Sequence, residues 1–344
     1  MKGEEKMKRL SFIVLLLGLM TSSAFAVTND FNDTTGDHLW STAANWTLGL
    51  PADTGSTSDY VKIQTTKECT LNSAAGDFGL NKVTVAGTTA TLKITDGSIG
   101  IGNELQVSDV GKTGTVVQTG GSVTTLTRGT SAGKIEVGYK LGGVGYYTIS
   151  GGAIGFGDTN NVGQIMVGGA GAAGATGTFT VQGNAATINT DRFWVGTKDA
   201  SGAYPGTGTV AFELTGGVSP INVATSVTID PLNDAACVAN LVVTLTDEDV
   251  PPPIIPLIIT SGGSAVSGIF DTVSGDTTPW DRALEGDTVV LTTPGNTSYT
   301  YTLTYLYNAD AGTFGNDIAL VPEPATVALL GLGSLIIAVR RRKK

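Results

Sequence analysis

The chain has 344 residues, with 20 Lys or Arg against 30 Asp or Glu, a formal net charge of −10 and a single histidine. That balance gives nucleic acid no electrostatic footing, and one histidine, His38, leaves almost no material for a Ser-His-Asp triad or a multi-histidine metal site. Glycine, at 48 residues, is about twice the usual share and charged residues fall well below the usual quarter, which excludes a helical protein and favours strands joined by tight turns.

In chain order, a basic stretch ending at Lys8 and Arg9, an apolar run from Leu10 to Met20 and the small-residue site Ala24-Phe25-Ala26 make residues 1–26 a secretory signal peptide. Glu4 and Glu5 are foreign to such a segment, so Met7 is the better start. Residues 27–321 hold eleven Lys or Arg and 27 Asp or Glu, a balance of −16, as suits the solvated surface of an exported protein. Residues 27–60, with Trp40 and Trp46, are expected to cover one open end of a strand stack, whose unpaired edge would otherwise aggregate. Their "W...ANW..G.P" pattern is similar to the opening of solenoid passengers in PEP-CTERM and autotransporter-like proteins.

Residues 61–246 repeat. A short strand recurs as "YVKI", "KVTV", "ELQV", "KIEV", "QIMV", "RFWV" and "SVTI", with inward pairs Val61/Ile63, Val83/Val85, Leu105/Val107, Ile135/Val137, Ile165/Val167, Phe193/Val195 and Val227/Ile229. A second strand follows each, with inward pairs Cys69/Leu71, Leu92/Ile94, Val116/Gln118, Tyr147/Ile149, Phe179/Val181, Val210/Phe212 and Leu241/Val243. Several second strands run into "TDGSI", "TGGSV", "SGGAI" or "TGGV", whose glycines supply the positive φ of a corner. One period cannot bury its own apolar face, whereas seven in register enclose a continuous core. The expected fold is therefore all-β, a parallel right-handed β-helix of about seven coils. A β-sandwich shares the alternation but gives no reason for the same two strands to recur. Gln118 is the one polar residue in an apolar row.

Motifs for chemistry are sparse. Gly169, Gly171 and Gly174 have dinucleotide-binding spacing, but a strand follows them instead of the helix that would hold a pyrophosphate. "VGKTG" lacks the earlier glycine of a phosphate loop, and "GTFGND" is a single copy of what calcium sites repeat. No EF-hand spacing is present, so neither metal nor cofactor is expected. Cys69 and Cys237, about six strand spacings apart, are expected to be buried thiols beyond disulfide reach.

A polysaccharide lyase or glycosidase needs two carboxylates, or carboxylates with Lys or Arg, projecting together from neighbouring coils. The outward residues of the first strand are Lys62, Thr84, Gln106, Glu136, Met166, Trp194 and Thr228; those of the second are Thr70, Lys93, Val117, Thr148, Thr180, Ala211 and Val242. Only one carboxylate is among them, so no catalytic residue is assigned, and a pair could come only from loops holding Asp158, Asp191, Arg192, Lys198 and Asp199. Trp194 beside Met166 forms an apolar platform on which a sugar ring could stack, unless a loop covers it.

Residues 247–320 begin with the stiff linker Pro251–Pro253. Tyr299, Tyr301, Leu303, Tyr305 and Tyr307 share one face of a half-buried strand, so this region is a C-terminal cap or a small β-domain. Residues 321–344 end the chain: Pro322-Glu323-Pro324, an uncharged run from Ala325 to Val339 and five cations that include Arg340, Arg341 and Arg342. The run would span roughly 22 Å as a helix against a hydrocarbon core of about 30 Å, short for a permanent anchor. The order of these three parts resembles the PEP-CTERM sorting signal of exported bacterial proteins, recognised by an exosortase, a membrane protease. The resemblance implies export to the surface, outer envelope or matrix of a Gram-negative type bacterium, with extracellular polysaccharide as a partner and membrane contact only through the tail before processing. The expected function is a structural or adhesive protein without catalytic activity. The alternative is a carbohydrate-binding or polysaccharide-degrading protein.

Overall fold

A computed structural model of the chain describes residues 28–51, 60–64, 66–72, 77–128, 131–138, 140–156, 163–169, 174–196, 206–230, 237–261, 266–273, 283–307 and 316–322. The signal-peptide residues and everything from Glu323 onward lie outside the described residues. Among those described there is no α-helix, only one 3-10 turn at Ala43–Asn45. The protein is all-β, dominated by parallel pairing in sheets of fifteen and eight strands.

The parallel register follows the repeat residue for residue. Val61, Val83, Leu105, Ile135, Ile165, Phe193 and Val227 pair in succession, each one period from the last, and the partners two residues on do the same from Ile63 to Ile229. In the second sheet Cys69, Leu92, Val116, Tyr147, Phe179, Val210 and Leu241 form the equivalent row. Both rows are buried. A sandwich of antiparallel hairpins is excluded for this region by the pairing direction.

The period holds three rows of strand, which corrects the two expected. Phe78, Ile99, Val123, Ile154, Ile188, Ile221 and Ile258 pair in parallel as a third inward row. Ile99, Val123 and Ile154 follow the "GSI"-type corners, where Gly97, Gly121 and Gly152 do adopt positive φ. The row's members are hard to see in sequence because some run straight into the first row: Asp77–Ala86, Ser98–Val107 and Ala186–Val195 are single ten-residue strands that carry both. A register shift between Leu80 and Lys82, and another between Thr190 and Arg192, marks where one row becomes the next.

Gln118 is fully buried, yet its polar groups are satisfied. Its Nε2 donates to the Ala153 carbonyl at 3.0 Å, and its Oε1 accepts from the Tyr147 hydroxyl at 2.7 Å. Tyr147 in turn stacks on Phe179, with ring centroids 5.3 Å apart. The polar pair therefore closes on itself inside an apolar column.

The corner between the two sheets is a column of close backbone approach. Gly114, Gly145, Gly177 and Gly208 pair in one row. A Cβ on Gly177 would stand 2.0 Å from the Val137 carbonyl oxygen, and one on Gly145 would stand 2.2 Å from that of Val107. Only hydrogen fits there.

Both ends of the stack are dressed differently from its middle. At the N-terminal end Trp40 and Trp46 pack edge to face at 4.8 Å, with Phe31 and Phe78 beside them. The Asp37 carboxylate ties the loop over them by accepting from Thr42 Oγ1, Leu39 N and Asn45 Nδ2 at 2.6–2.9 Å. At the other end Ile255–Thr260 continues the parallel sheet on Ile221–Val223, then pairs antiparallel with Asp317–Pro322, which pairs with Ser298–Tyr307 and that with Thr288–Thr292. Tyr301, Leu303 and Tyr305 of the alternating strand are buried, and the Tyr301 hydroxyl donates to the Pro252 carbonyl at 2.9 Å.

Gly177→Ala is expected to lose roughly 2–4 kcal/mol of unfolding free energy in urea, since backbone rather than a flexible side chain must move. Gln118→Leu alone should cost about 1–3 kcal/mol by stranding the Tyr147 hydroxyl, and adding Tyr147→Phe should restore most of the loss. A double variant no better than the single would contradict the pairing.

Candidate functional site

Alternation along each first-row strand sends two residues outward, and register stacks them in two lines. One line is the expected series Lys62, Thr84, Gln106, Glu136, Met166, Trp194 and Thr228. The other, two residues earlier, is Lys82, Glu104, Lys134, Gln164 and Arg192. Counting a single outward position per strand overlooks this second line, although the first letters of the repeats spell it out as Lys, Glu, Lys, Gln, Arg.

The two lines bring together a carboxyl pair from adjacent strands. Lys82 Nζ is in contact with Glu104 Oε1. Lys134 Nζ is 2.5 Å from Glu136 Oε1, but outside hydrogen-bonding direction, so neither Glu136 oxygen meets a well-aimed donor. Burial opposes ionisation of Glu104, yet the Lys82 ammonium outweighs it and holds the carboxyl below its ordinary range. For Glu136 burial and then the Glu104 charge push the pKa up to about 7, against Lys134. With both carboxyls facing each other, burial and the Glu104 charge favour the neutral form of Glu136.

Two carboxyls whose proton affinities are driven apart resemble an acid–base couple. Access decides otherwise. Glu136 is 0 % exposed and the Glu104 side chain retains only 12 %, so no glycosidic oxygen can lie between them. The cluster is a cross-strand clamp.

Farther along the same line Met166 is 5 % exposed, and Trp194 is half-buried with its indole N–H withdrawn from solvent and unpaired. Gln106 Nε2 is likewise buried and unpaired. Asp191 and Arg192, expected on loops, lie instead within the strand Ala186–Val195, where Asp191 sits at the register shift and its Oδ1 accepts from Thr225 Oγ1. Asp158, Lys198 and Asp199 lie outside the described residues. His38 has positive φ, its Nδ1 pairs with Asp33 Oδ2 at 2.7 Å on the N-terminal loop, and its carbonyl accepts from Thr70 N of the first repeat at 2.7 Å. Cys69 and Cys237 are free and buried, and burial pushes the Cys69 thiol up. Among the described residues no group of three or more His, Cys, Asp or Glu gathers as a metal site.

Residues 320–343 match the PEP-CTERM protein-sorting motif, and this chain therefore carries that motif at its C-terminus. The motif implies an exported protein of the Gram-negative envelope or surface, sorted and processed by an exosortase. No curated protein and no solved structure matches the chain. Pro322 ends a described strand, while Glu323, Pro324 and Arg340–Arg342 lie outside the described residues. Among the described residues no helix is long and apolar enough to cross a membrane.

Because the folded pKa of Glu136 exceeds its unfolded value, its stabilising contribution is complete below about 4.3 and is lost as pH rises through 7. Glu104, held low, works in the opposite direction as pH falls. Glu136→Gln removes the first effect, so the variant should gain roughly 1–3 kcal/mol relative to the parent between pH 5 and 8, read from paired urea titrations. Parallel pH profiles for the two proteins would rule out the protonated clamp.

Proposed function

We propose that the chain is a parallel β-helix of about seven coils, right-handed by the general preference of parallel crossovers, that serves as a non-catalytic structural or adhesive element of the cell surface or extracellular matrix. Its N-terminal pattern is in keeping with the solenoid passengers of autotransporter-like proteins. The partner is extracellular polysaccharide, and delivery is by the sorting motif.

The observation that carries the adhesive reading is the middle of the second sheet's outer face, the four strands that follow the outward Lys93–Glu68 pair. In the row Thr115, Tyr146, Thr178 and Thr209, and in the rows two residues to either side, from Thr113 to Thr207 and from Val117 to Ala211, no outward residue is charged. This is unexpected in a chain of net charge −10. Parallel strands set the hydroxyls about 4.8 Å apart in straight lines, and Tyr146, 44 % exposed, adds an aromatic face. Uncharged hydroxyls and one ring lose little on desolvation and match the alternating polar edges and apolar faces of neutral sugars.

The exported protein, incubated with neutral and acidic polysaccharides, is expected to be retained by a neutral one without releasing new reducing ends or unsaturated products. Thr178→Glu with Thr209→Glu should lower that retention at least tenfold while thermal stability stays within a few degrees. Product release would replace the structural reading by the degradative one.

A further inference from the structure

The sorting motif does not begin where the fold ends. Its match starts at Leu320, but Leu320, Val321 and Pro322 belong to the strand Asp317–Pro322, a central strand with Ile255–Thr260 on one side and Ser298–Tyr307 on the other.

The grip on this strand is uneven. Ala319 and Leu320 are paired on both sides, to Pro256 and Ile255 and to Thr304 and Leu303, and both are fully buried. Upstream, the buried Asp317 carboxylate accepts from Thr260 N at 2.7 Å and Thr260 Oγ1 at 3.1 Å. Val321 and Pro322 are paired on one side only, to Thr302 and Tyr301, and are half-buried. Only Glu323 and Pro324 then separate the strand from the apolar run that starts at Ala325, a reach of at most about 10 Å from Pro322.

A protease needs its substrate extended with main-chain groups free, a state that a strand paired on both edges cannot offer without breaking the sheet. Val321 and Pro322 can peel away by giving up one neighbour. Leu320 cannot leave without emptying a buried site and uncovering two strand edges at once.

We propose that this sheet fixes the processing boundary: the exosortase cut falls downstream of Leu320, within the bonds from Leu320–Val321 to Pro324–Ala325, so the mature protein keeps its last strand. The motif is thereby divided between two tasks, its first residue closing the fold and the remainder serving as the tag. In the step itself the peptide C–N bond breaks, the hydroxyl of water ends on the carbonyl carbon as a carboxylate, and the tail departs with the new amino group. The proposal rests on the processing that the motif implies.

The test is to produce the full chain in a Gram-negative host that carries an exosortase, isolate the exported protein, and map its C-terminus by intact mass and terminal-peptide sequencing. A new C-terminus between Leu320 and Pro324 is expected, with the Ala319 and Leu320 amides remaining strongly protected in hydrogen exchange. A C-terminus at or before Ala319, or loss of that protection, would overturn the boundary while leaving sorting intact. An exported chain that still ends at Lys344 would overturn the boundary and the processing on which it rests, and so tells the two failures apart.

Discussion

Everything in this molecule depends on equivalent residues meeting their own counterparts one period away. A strand's side chains alternate, so a slip of one residue would turn an entire inward row to solvent. With Val85, Val107, Val137, Val167 and Val195 paired in line, every neighbour enforces the same choice. The glycine corner reinforces it, because Gly145 and Gly177 accept a carbonyl oxygen where any side chain would collide. Register is thus locked by an apolar preference along the rows and a steric one at the bend.

Much of this was legible because period and alternation act together. The fourteen inward pairs of the first and second rows, read from "KVTV"-type and following strands, lie where the pairing puts them; Thr84, Gln106, Glu136, Met166 and Trp194 keep the expected register, but the first four are buried instead of exposed. What escaped was short or hidden. The third row contributes as little as one apolar residue after a glycine corner, as with Ile154, or is fused to the first row in a longer strand, so periodicity has no separate segment to mark. Gln118 read as an exception because its partners, Tyr147 and the Ala153 carbonyl, lie 29 and 35 positions away. The register still made the Tyr147 contact foreseeable, since the two residues belong to adjacent strands of one ladder.

The carboxyl pair shows how a reading of one line of side chains can mislead about chemistry. Glu136 alone suggested an isolated acid; Glu104 beside it gives two acids and two lysines, the composition of a catalytic cluster. Burial reverses the meaning. A carboxyl that meets no solvent is pushed by burial toward its neutral form, and the flanking ammonium groups of Lys82 and Lys134 offset part of that cost. Such a network ties Lys82, Glu104, Lys134 and Glu136 across three adjacent strands, a use of polar residues that specifies neighbours rather than transforms substrates.

The two ends of the stack carry the remaining logic. A parallel stack exposes one edge of each sheet at either end, and such edges recruit other chains unless covered. Trp40, Trp46 and the Asp37 loop cover one. At the other, the switch from parallel to antiparallel pairing at Ile255–Thr260 lets the chain fold back on itself, so the sheet finishes in an antiparallel unit whose last strand is the short Thr288–Thr292. The sorting motif issues from the middle of that closing unit. Whatever holds the tail therefore holds the protein by one end, and the uncharged part of the second sheet's outer face, between the Lys93–Glu68 pair and Glu213, belongs to the coils in its middle.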